Sequence, residues 1–449
     1  MYKVINIDDE RACLFDASIM QPTFLSLKFC IDSLFGKSIN YQKHTLVNVQ
    51  YFHEYWYAKF GYTLDYSMYQ SEFSGTEIAK MISELEGFWI YLCHKRTYVE
   101  NLSLFPIVNS KVTIQEIVTA VSRYQTICRF ICWLIETYIN THYLDESFNE
   151  IYACQRALMA KLSIESKKYS KYSSSVVKKK KTLYRSLTTQ QLKDFVSLFS
   201  TNAEPEKYNG LLKPSFYRQY RDFILVKFLV SYGLRIGEAL LLRGTSFKTN
   251  LKATKFVMLI DTLEDGIDSR RNKPRIKSNN SVRELEISYQ DYTLVQSFIK
   301  DVNFRCDHGF VFTSSIGNFE PLSYKAAYKV VINASEAAKK RFPEHFAPTN
   351  VDYLENIHPH MLRHTWAYNT LAALYDQEKK AFIRANAVNV KGIMESAKDK
   401  LRVLGGWADN SDMPSHYARR FIAENANKIN LSMFTKYTWD ASFLTSESD

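Results

Sequence analysis

The sequence lacks several features that define whole classes of protein. Its apolar runs, such as Phe130 to Ile135, are far shorter than the ~18 residues that a membrane-spanning helix needs. Its first ten residues turn acidic before an apolar stretch can form, which predicts no secretory signal and favours a cytoplasmic protein. The seven cysteines have no Cys-x-x-Cys spacing, so we expect reduced thiols and no structural zinc, with Cys128 and Cys132 in a core.

The charge balance is the least ordinary property of the composition. Among 449 residues the formal net charge is +11, while the hydrophobic content of 46% is that of a globular protein. A basic excess of this size indicates a polyanionic partner, either nucleic acid or an anionic membrane surface. The length predicts two or three domains, at roughly 150 residues each.

The first part of the chain has a helical period of apolar residues. We predict five helices, at 24–35, 45–60, 77–92, 114–138 and 147–162. Residues 2–15 are expected to form a short strand or an extended arm. The aromatic residues between Tyr51 and Tyr57 could face DNA, but core packing is the favoured interpretation.

A lysine-rich segment follows at 166–181, with seven lysines, no acid and no apolar period. It predicts a linker between an amino-terminal domain at 1–165 and a second domain at 182–449. The linker is either a solvated tether or a segment that lies along a phosphate backbone; its candidate DNA contacts are Lys178, Lys179, Lys180 and Lys181.

The second part of the chain reads as mostly helical with a small sheet. A Thr cap and Gln residues open a helix near 187–192, and a strong helix at 214–232 ends at Gly233. Strands are predicted at 255–263 and 283–288, joined by a basic connection. Further helices are predicted at 234–240, 289–301, 323–341, 359–375, 378–404 and 421–430. The fold class is therefore mainly α (α+β), with a small antiparallel sheet.

One helix start combines several features of an anion site. Pro359 suits the first turn because it has no N–H to lose, and this puts His360 and Arg363 one turn apart near the positive end of the helix. An imidazole and a guanidinium at a helix N-terminus can bind phosphate. The alternative is a surface pair that binds a carboxylate.

Taken with other residues in chain order, these motifs resemble those of the tyrosine recombinase (phage integrase) family. Leu234-Arg235-Ile236-Gly237-Glu238 resembles its first arginine box and His360-Met361-Leu362-Arg363-His364-Thr365 its second. His416-Tyr417-Ala418-Arg419 resembles the segment around its nucleophile. The resemblance covers about 187–423 by motif, and 1–165 resembles the family's helical core-binding domain by pattern only.

The resemblance implies a role for each matching residue. Arg235 and Arg363 would neutralise the phosphate, and Tyr417 would attack it to give a 3′-phosphotyrosyl intermediate. Lys277 would protonate the departing 5′ oxygen, and His360 would assist proton transfer at the nucleophile.

Supporting residues follow from the same resemblance. Trp407 would bind a phosphate oxygen and pack behind the nucleophile, Glu238 would orient the basic cluster, and Arg275 would contact DNA. The implied protein is a site-specific recombinase of double-stranded DNA, for integration or excision of a mobile element, assembled as a tetramer on two sites. It needs no metal or other cofactor, and in a bacterium it would be nucleoid-associated.

Several alternatives stay open. Tyr437 is the rival nucleophile, His358 and His364 compete with His360, and Trp407 could be plain core. Lys277 competes with Lys273, Arg275 and Arg283 in the same connection. The chain could also be a non-catalytic DNA-binding protein of the same fold, or an enzyme that nicks and reseals DNA as type IB topoisomerases do.

Two departures from the family pattern bear on these roles. A charged stretch at 376–400 is longer than usual and could contact DNA or a neighbouring protomer. The interval between Trp407 and Tyr417 is about one residue longer than usual. The tail at 430–449 would either dock on the next protomer, as is typical of the family, or form a buried C-terminal helix of its own protomer.

Overall fold

A computed structural model of the chain describes residues 2–8, 10–93, 114–139, 148–169, 186–200, 216–261, 268–270, 273–274, 276, 279–315, 317–384 and 392–434. The chain divides into two compact units, Met1–Lys181 and Thr182–Asp449. Within the described residues, every helix is too short or too polar to cross a bilayer.

The first unit is a helical bundle preceded by a small antiparallel sheet. Its strands are β1 Tyr2–Asn6, β2 Ala12–Asp16 and β3 Gln21–Pro22. Its helices are α1 Phe24–Phe29, continued by a π-helical turn at Cys30–Leu34, then α2 Ile39–Phe60, α3 Leu64–Gln70, α4 Gly75–Ser83, α5 Leu85–Cys93, α6 Ile114–Tyr138 and α7 Phe148–Lys168.

Local chemistry explains several of these boundaries. The Ser38 hydroxyl accepts a hydrogen bond from the Tyr41 N–H at 3.4 Å and caps α2. At its other end α2 stops at Gly61, whose φ of +77° lies in the left-handed region. The region predicted as one helix at 77–92 contains two helices, α4 and α5. Glu84 is the C-terminal cap of α4, and α5 begins at the next residue, Leu85.

The core of the first unit is strongly aromatic. Phe52, Tyr55 and Trp56 are almost fully buried, and Phe52 packs edge-on against Phe88 with ring centroids 5.1 Å apart. The core-packing interpretation of this aromatic segment is therefore confirmed, and only Tyr57 among its large rings is exposed. All seven cysteines are free thiols.

In the second unit, helices surround a three-stranded antiparallel sheet. Its strands are β4 Phe247–Thr249, β5 Phe256–Ile260 and β6 Arg283–Ile287, in the order β4-β5-β6. Its helices are α8 Thr189–Ser197, α9 Phe216–Ser231, α10 Ile236–Leu241, α11 Tyr289–Arg305, α12 Tyr324–Arg341, α13 Pro359–Arg384, α14 Gly392–Gly405 and α15 Met413–Phe434.

The entry to this unit is a capping box, as predicted. The Gln191 N–H donates to the Thr188 hydroxyl at 3.2 Å, and the Thr188 N–H donates to the Gln191 side chain at 2.9 Å. In the sheet, β5 and β6 pair in a register that sets Ile260 opposite Arg283. Because Arg283 is the first residue of β6, its side chain lies at the end of the sheet where the connection from β5 arrives.

Three elements of the second unit differ from the sequence predictions. Strand β4 was not predicted, since three residues carry too little pattern to identify a strand. The helix predicted at 359–375 continues to Arg384, so the described residues of the stretch at 376–400 belong to the end of α13 and to α14. The terminal helix begins at Met413 rather than at 421, which makes Tyr417 a helical residue.

Candidate active site

The candidate site starts at the turn between α9 and α10. Gly233 has a φ of +61°, and a Cβ added there would lie 2.1 Å from the ring of Trp366. Glycine therefore permits both the left-handed turn and the close approach of α13. The turn places Arg235 immediately before α10, where its N–H donates to the Glu238 carboxylate at 3.0 Å.

Glu238 is the centre of a buried charge cluster. Its side chain is 1% exposed and forms ion pairs with three arginines: directly with Arg235, at 3.0 Å with Arg283 and at 3.7 Å with Arg363. Burial opposes ionisation of the carboxyl, but the neighbouring cations, led by Arg283 and Arg363, outweigh it and lower the pKa of Glu238. One carboxylate thus organises three guanidinium groups, as a buried anion requires.

Arg363 is held in place by backbone carbonyls as well as by charge. Its side chain is 4% exposed and donates to the carbonyl oxygens of Gly233 and Gly405. The first turn of α13 is fixed by His358, whose Nδ1 accepts a hydrogen bond from the Met361 N–H at 3.2 Å. The guanidinium therefore joins the start of α13 to the turn before α10 and to the end of α14.

Tyr417 lies in α15 with its side chain turned into the unit. The residue is 2% exposed, and its hydroxyl is 2.6 Å from Nδ1 of His364. Burial is the main reason that the pKa of His364 falls to about 4, with the nearby His360 as the next contribution. His364 is therefore neutral at pH 7, and its Nδ1 can accept the proton of the tyrosine hydroxyl.

Trp407 contacts both the basic cluster and the tyrosine. The Arg363 guanidinium lies 4.8 Å from the centroid of the Trp407 ring, and the Tyr417 ring centroid lies 6.0 Å from it. A Cβ added at Gly405 would meet the same indole at 2.2 Å, so the backbone before Trp407 is pressed against the ring. The Trp407 indole thus contacts both the Arg363 guanidinium and the ring of Tyr417, the candidate nucleophile.

The two histidines of the second box are arranged differently from the prediction. His360 is exposed, and its ring lies over that of His364 with centroids 5.7 Å apart. The group that meets the Tyr417 hydroxyl is His364, which sequence reasoning set aside because only His360 has the three-residue spacing to Arg363. The available signal was weak: positions 360 and 364 share one helix face, and a sequence does not say which of two such residues is turned inward.

Arg283 is the residue that sequence reasoning missed. It was counted as one of several cations near Lys277, but its side chain is 5% exposed and inside the cluster. Ser281 is buried beside it, and its hydroxyl donates to the Gly406 carbonyl at 3.2 Å. Nothing in the sequence distinguishes a strand arginine that turns inward from one that faces solvent.

Several predicted residues lie outside the described part of the chain: Lys178, Lys179, Lys180, Lys181, Arg275, Lys277 and Tyr437. Most of the predicted linker lies there as well, and its first three residues, 166–168, complete α7. Among the residues that the structure describes, no group of three or more His, Cys, Asp or Glu side chains is placed to hold a metal ion.

The arrangement provides fixed positive charge next to a tyrosine hydroxyl that has a proton acceptor. Cations held by a buried carboxylate and by carbonyl oxygens need not reorganise when an anion arrives. A neutral imidazole at hydrogen-bond distance can take a proton as the hydroxyl oxygen forms a bond. Buried cations, a tyrosine hydroxyl and a proton acceptor for that hydroxyl thus lie together in the second unit.

Part of the second unit is similar to a known protein family. Residues 201–379 match the model of the phage integrase family, a span that contains Arg235, Arg283 and Arg363. No curated protein matches the chain.

Similar solved structures include the Tn1549 transposon integrase in complex with circular intermediate DNA. It is 15% identical, with a TM-score of 0.37, and the match covers 84% of this chain and 99% of that one. Another is the XerH site-specific recombinase bound to a palindromic difH substrate in a post-cleavage complex, at 12% identity and a TM-score of 0.33, covering 75% of this chain and 91% of that one. The resemblance of this chain to the phage integrase family therefore rests on residues 201–379, within the second unit.

Proposed function

We propose that the protein is a site-specific DNA recombinase that cleaves and rejoins strands through a 3′-phosphotyrosyl intermediate. The observation that carries the proposal is the buried hydrogen bond between Tyr417 and a neutral His364, in the unit that also holds the Glu238 arginine cluster. The net charge of +11 fits a polyanionic substrate.

The cleavage step follows from these groups. The Tyr417 oxygen attacks the phosphorus of a DNA phosphodiester while its proton passes to Nδ1 of His364. Arg235 and Arg363 neutralise the non-bridging oxygens, and the bond to the 5′ oxygen breaks as Lys277 gives that oxygen a proton. The phosphotyrosyl ester keeps the bond energy, so a 5′ hydroxyl of another strand can attack it and restore the phosphodiester without a cofactor.

The burial of Tyr417 adds a requirement to this scheme. With the tyrosine 2% exposed, a phosphate cannot reach the hydroxyl until α15 shifts or the side chain rotates outward. His360, exposed on the same helix face as His364, is placed to receive the proton next or to meet the phosphate. Both histidines therefore have a role at the nucleophile, with His364 as the first proton acceptor.

The remaining expectations are part of the proposal. The predicted amino-terminal domain, 1–165, would bind DNA as a core-binding domain, with the lysines at 178–181 and Arg275 along the phosphate backbone. Strand exchange between two sites would require a tetramer. The cellular location would be that of its DNA, the cytoplasm or nucleoid of a bacterium, and the biological role would be movement of a mobile element.

The test is capture of the covalent intermediate. A pool of nicked duplexes with randomised centres, labelled at the 5′ end of the cut strand, is incubated with wild type, Tyr417→Phe and Tyr289→Phe, then denatured and run on a gel. Tyr289 is an exposed tyrosine outside the cluster and serves as the control. We expect protein-linked label in wild type and in the control but not in Tyr417→Phe.

Other outcomes separate the alternatives. Label that persists in Tyr417→Phe would exclude this tyrosine as the nucleophile. Salt-dependent binding without linkage in wild type would identify a non-catalytic DNA-binding protein. If linked DNA is recovered, a second duplex with a different label distinguishes exchange of partners from resealing alone, the reaction of a topoisomerase.

A further inference from the structure

The side chain of Arg283 forms hydrogen bonds with three separate segments of the second unit. Its guanidinium donates to the Glu238 carboxylate at 3.0 Å, to the Ser281 carbonyl at 2.8 Å and to the Leu404 carbonyl at 2.9 Å. With 5% of the side chain exposed, these bonds are formed away from solvent. Hydrogen bonds from a buried cation are among the stronger ones in proteins.

Each of the three segments holds a residue of the proposed reaction. Glu238 follows Arg235 by one turn, and Ser281 ends the connection that contains Lys277. Leu404 is followed directly by Gly405, whose carbonyl accepts a hydrogen bond from Arg363. A change at position 283 is therefore transmitted to all three segments.

The packing around Arg283 leaves little freedom. Gly406 has a φ of +59°, and a Cβ added there would lie 2.8 Å from Nη1 of Arg283 and 3.0 Å from the backbone of Ser281. The loop before Trp407 therefore rests directly on the guanidinium. The planar fork of Arg283 donates to its three acceptors from three separate nitrogens, whereas the three N–H groups of a lysine share a single nitrogen.

Charge adds a second effect. Glu238 is shared by three arginines, and Arg283 binds its Oε2 oxygen from a position that solvent does not reach. By binding this oxygen, Arg283 limits how far the carboxylate neutralises Arg235 and Arg363, which leaves their charge for a phosphate. Because all three guanidinium nitrogens of Arg283 already donate to protein acceptors, it acts through these neighbours and does not touch DNA itself.

We propose that Arg283 is a positioning residue for strand cleavage, which sets the placement of Arg235, Arg363 and the 404–407 loop. This inference rests on the proposed function. A purely structural role would predict only lower stability. A positioning role predicts a slower chemical step at saturating DNA, because a misplacement of about 1 Å in an active site costs on the order of 100-fold in rate.

The matched control is Arg221, which is also 5% exposed, forms an ion pair with Asp222 and donates to the Thr313 carbonyl at 2.8 Å. These hydrogen bonds to Asp222 and Thr313 stabilise the same unit, and they involve neither Glu238 nor Ser281 nor the 404–407 loop. Arg283→Lys and Arg221→Lys each retain the charge and lose the planar fork. The two variants therefore remove comparable buried interactions at different places.

The experiment measures single-turnover formation of the covalent complex on a nicked duplex, with full-length protein, as a function of protein concentration. For Arg283→Lys we expect the saturating rate to fall about 100-fold while the half-saturation concentration stays within about twofold. Arg221→Lys is expected to keep both values. Substrate with a methylphosphonate at the scissile position, which carries no charge, should reduce the Arg283→Lys defect.

Each other result overturns the inference. An unchanged saturating rate for Arg283→Lys, or an equal loss for Arg221→Lys, assigns Arg283 a structural role while the proposed function stands. If wild type forms no covalent complex, the proposed function and this inference fail together. Should Arg283→Lys not fold, Gly406→Ala displaces the guanidinium without removing it and is expected to give the same slower rate; a normal rate there refutes the positioning role.

Discussion

The depressed pKa of His364 makes the stability of the second unit depend on pH in a defined way. The imidazole has a pKa of about 4 in the folded protein, against about 6.5 in the unfolded chain. The unfolded state therefore binds the proton first as the pH falls, and protonation favours unfolding. The contribution is present in full above pH 6.5 and is lost between about pH 6.5 and pH 4.

The size of the effect follows from the two pKa values. Between pH 7 and pH 5, the difference in proton binding amounts to about 2 kcal/mol of unfolding free energy from this one residue. His358, whose pKa burial also lowers, contributes in the same direction. A variant that changes only position 364 therefore isolates the effect.

His364→Asn is the suitable variant, because its side-chain oxygen can accept the Tyr417 O–H where Nδ1 does, and it does not titrate. The free energy of unfolding is measured by urea denaturation at pH 7 and at pH 5, followed by tryptophan fluorescence. Trp366 and Trp407 report on the packing around Tyr417. We expect wild type to lose about 2 kcal/mol more than His364→Asn over this interval.

Equal losses in the two proteins would refute the reasoning. They would mean that the folded protein binds the proton at His364 as readily as the unfolded chain does. In that case the imidazole would be charged at mildly acid pH and could not accept the proton of Tyr417 there. The proposed first step of the reaction would then need another proton acceptor.

Two further predictions concern backbone chemistry. Gly233→Ala is expected to cost well over 2 kcal/mol of unfolding free energy, because the added Cβ would overlap the ring of Trp366. The control is Gly309→Ala, where φ is also positive, at +74°, but an added Cβ would have no neighbouring atom within 4 Å. This change should cost only about 1 kcal/mol. Equal losses in urea denaturation would contradict the overlap. Thr188→Ala should cost about 1 kcal/mol by removing the acceptor for Gln191, and Thr188→Ser should restore most of it; identical unfolding midpoints for Ala and Ser would contradict a capping role.

Local signals in the sequence predicted local structure well. The period of apolar residues gave the bounds of α6 at 114–138, and the Thr188 cap and Gly233 marked a helix start and a helix end where the structure has them. Such features depend on a few neighbouring residues. The hairpin of β1 and β2 was missed as a hairpin, since its strands have five residues each and pairing is decided by distant contacts.

The residues of the candidate site also fall into two groups: those that motifs in the sequence indicate, and those whose placement depends on packing. Motif spacing indicated Arg235, Glu238, Arg363 and Trp407, and the structure brings these four residues together. The burial of Arg283 and the choice of His364 over His360 depend on how β6 and α15 pack against the rest of the unit. No spacing along the chain encodes that packing.

The two carbonyl bonds of Arg363 also bear on the order in which the protein is made. Its guanidinium links Gly233, 130 residues earlier, to Gly405, 42 residues later. During synthesis, a chain that has emerged only as far as α13 lacks one of these acceptors and lacks the tyrosine as well. Domains fold as units as they leave the ribosome, so the site is completed only when α14 and α15 have been added. An unfinished chain would therefore contain the arginines of the cluster but not the proposed nucleophile, Tyr417.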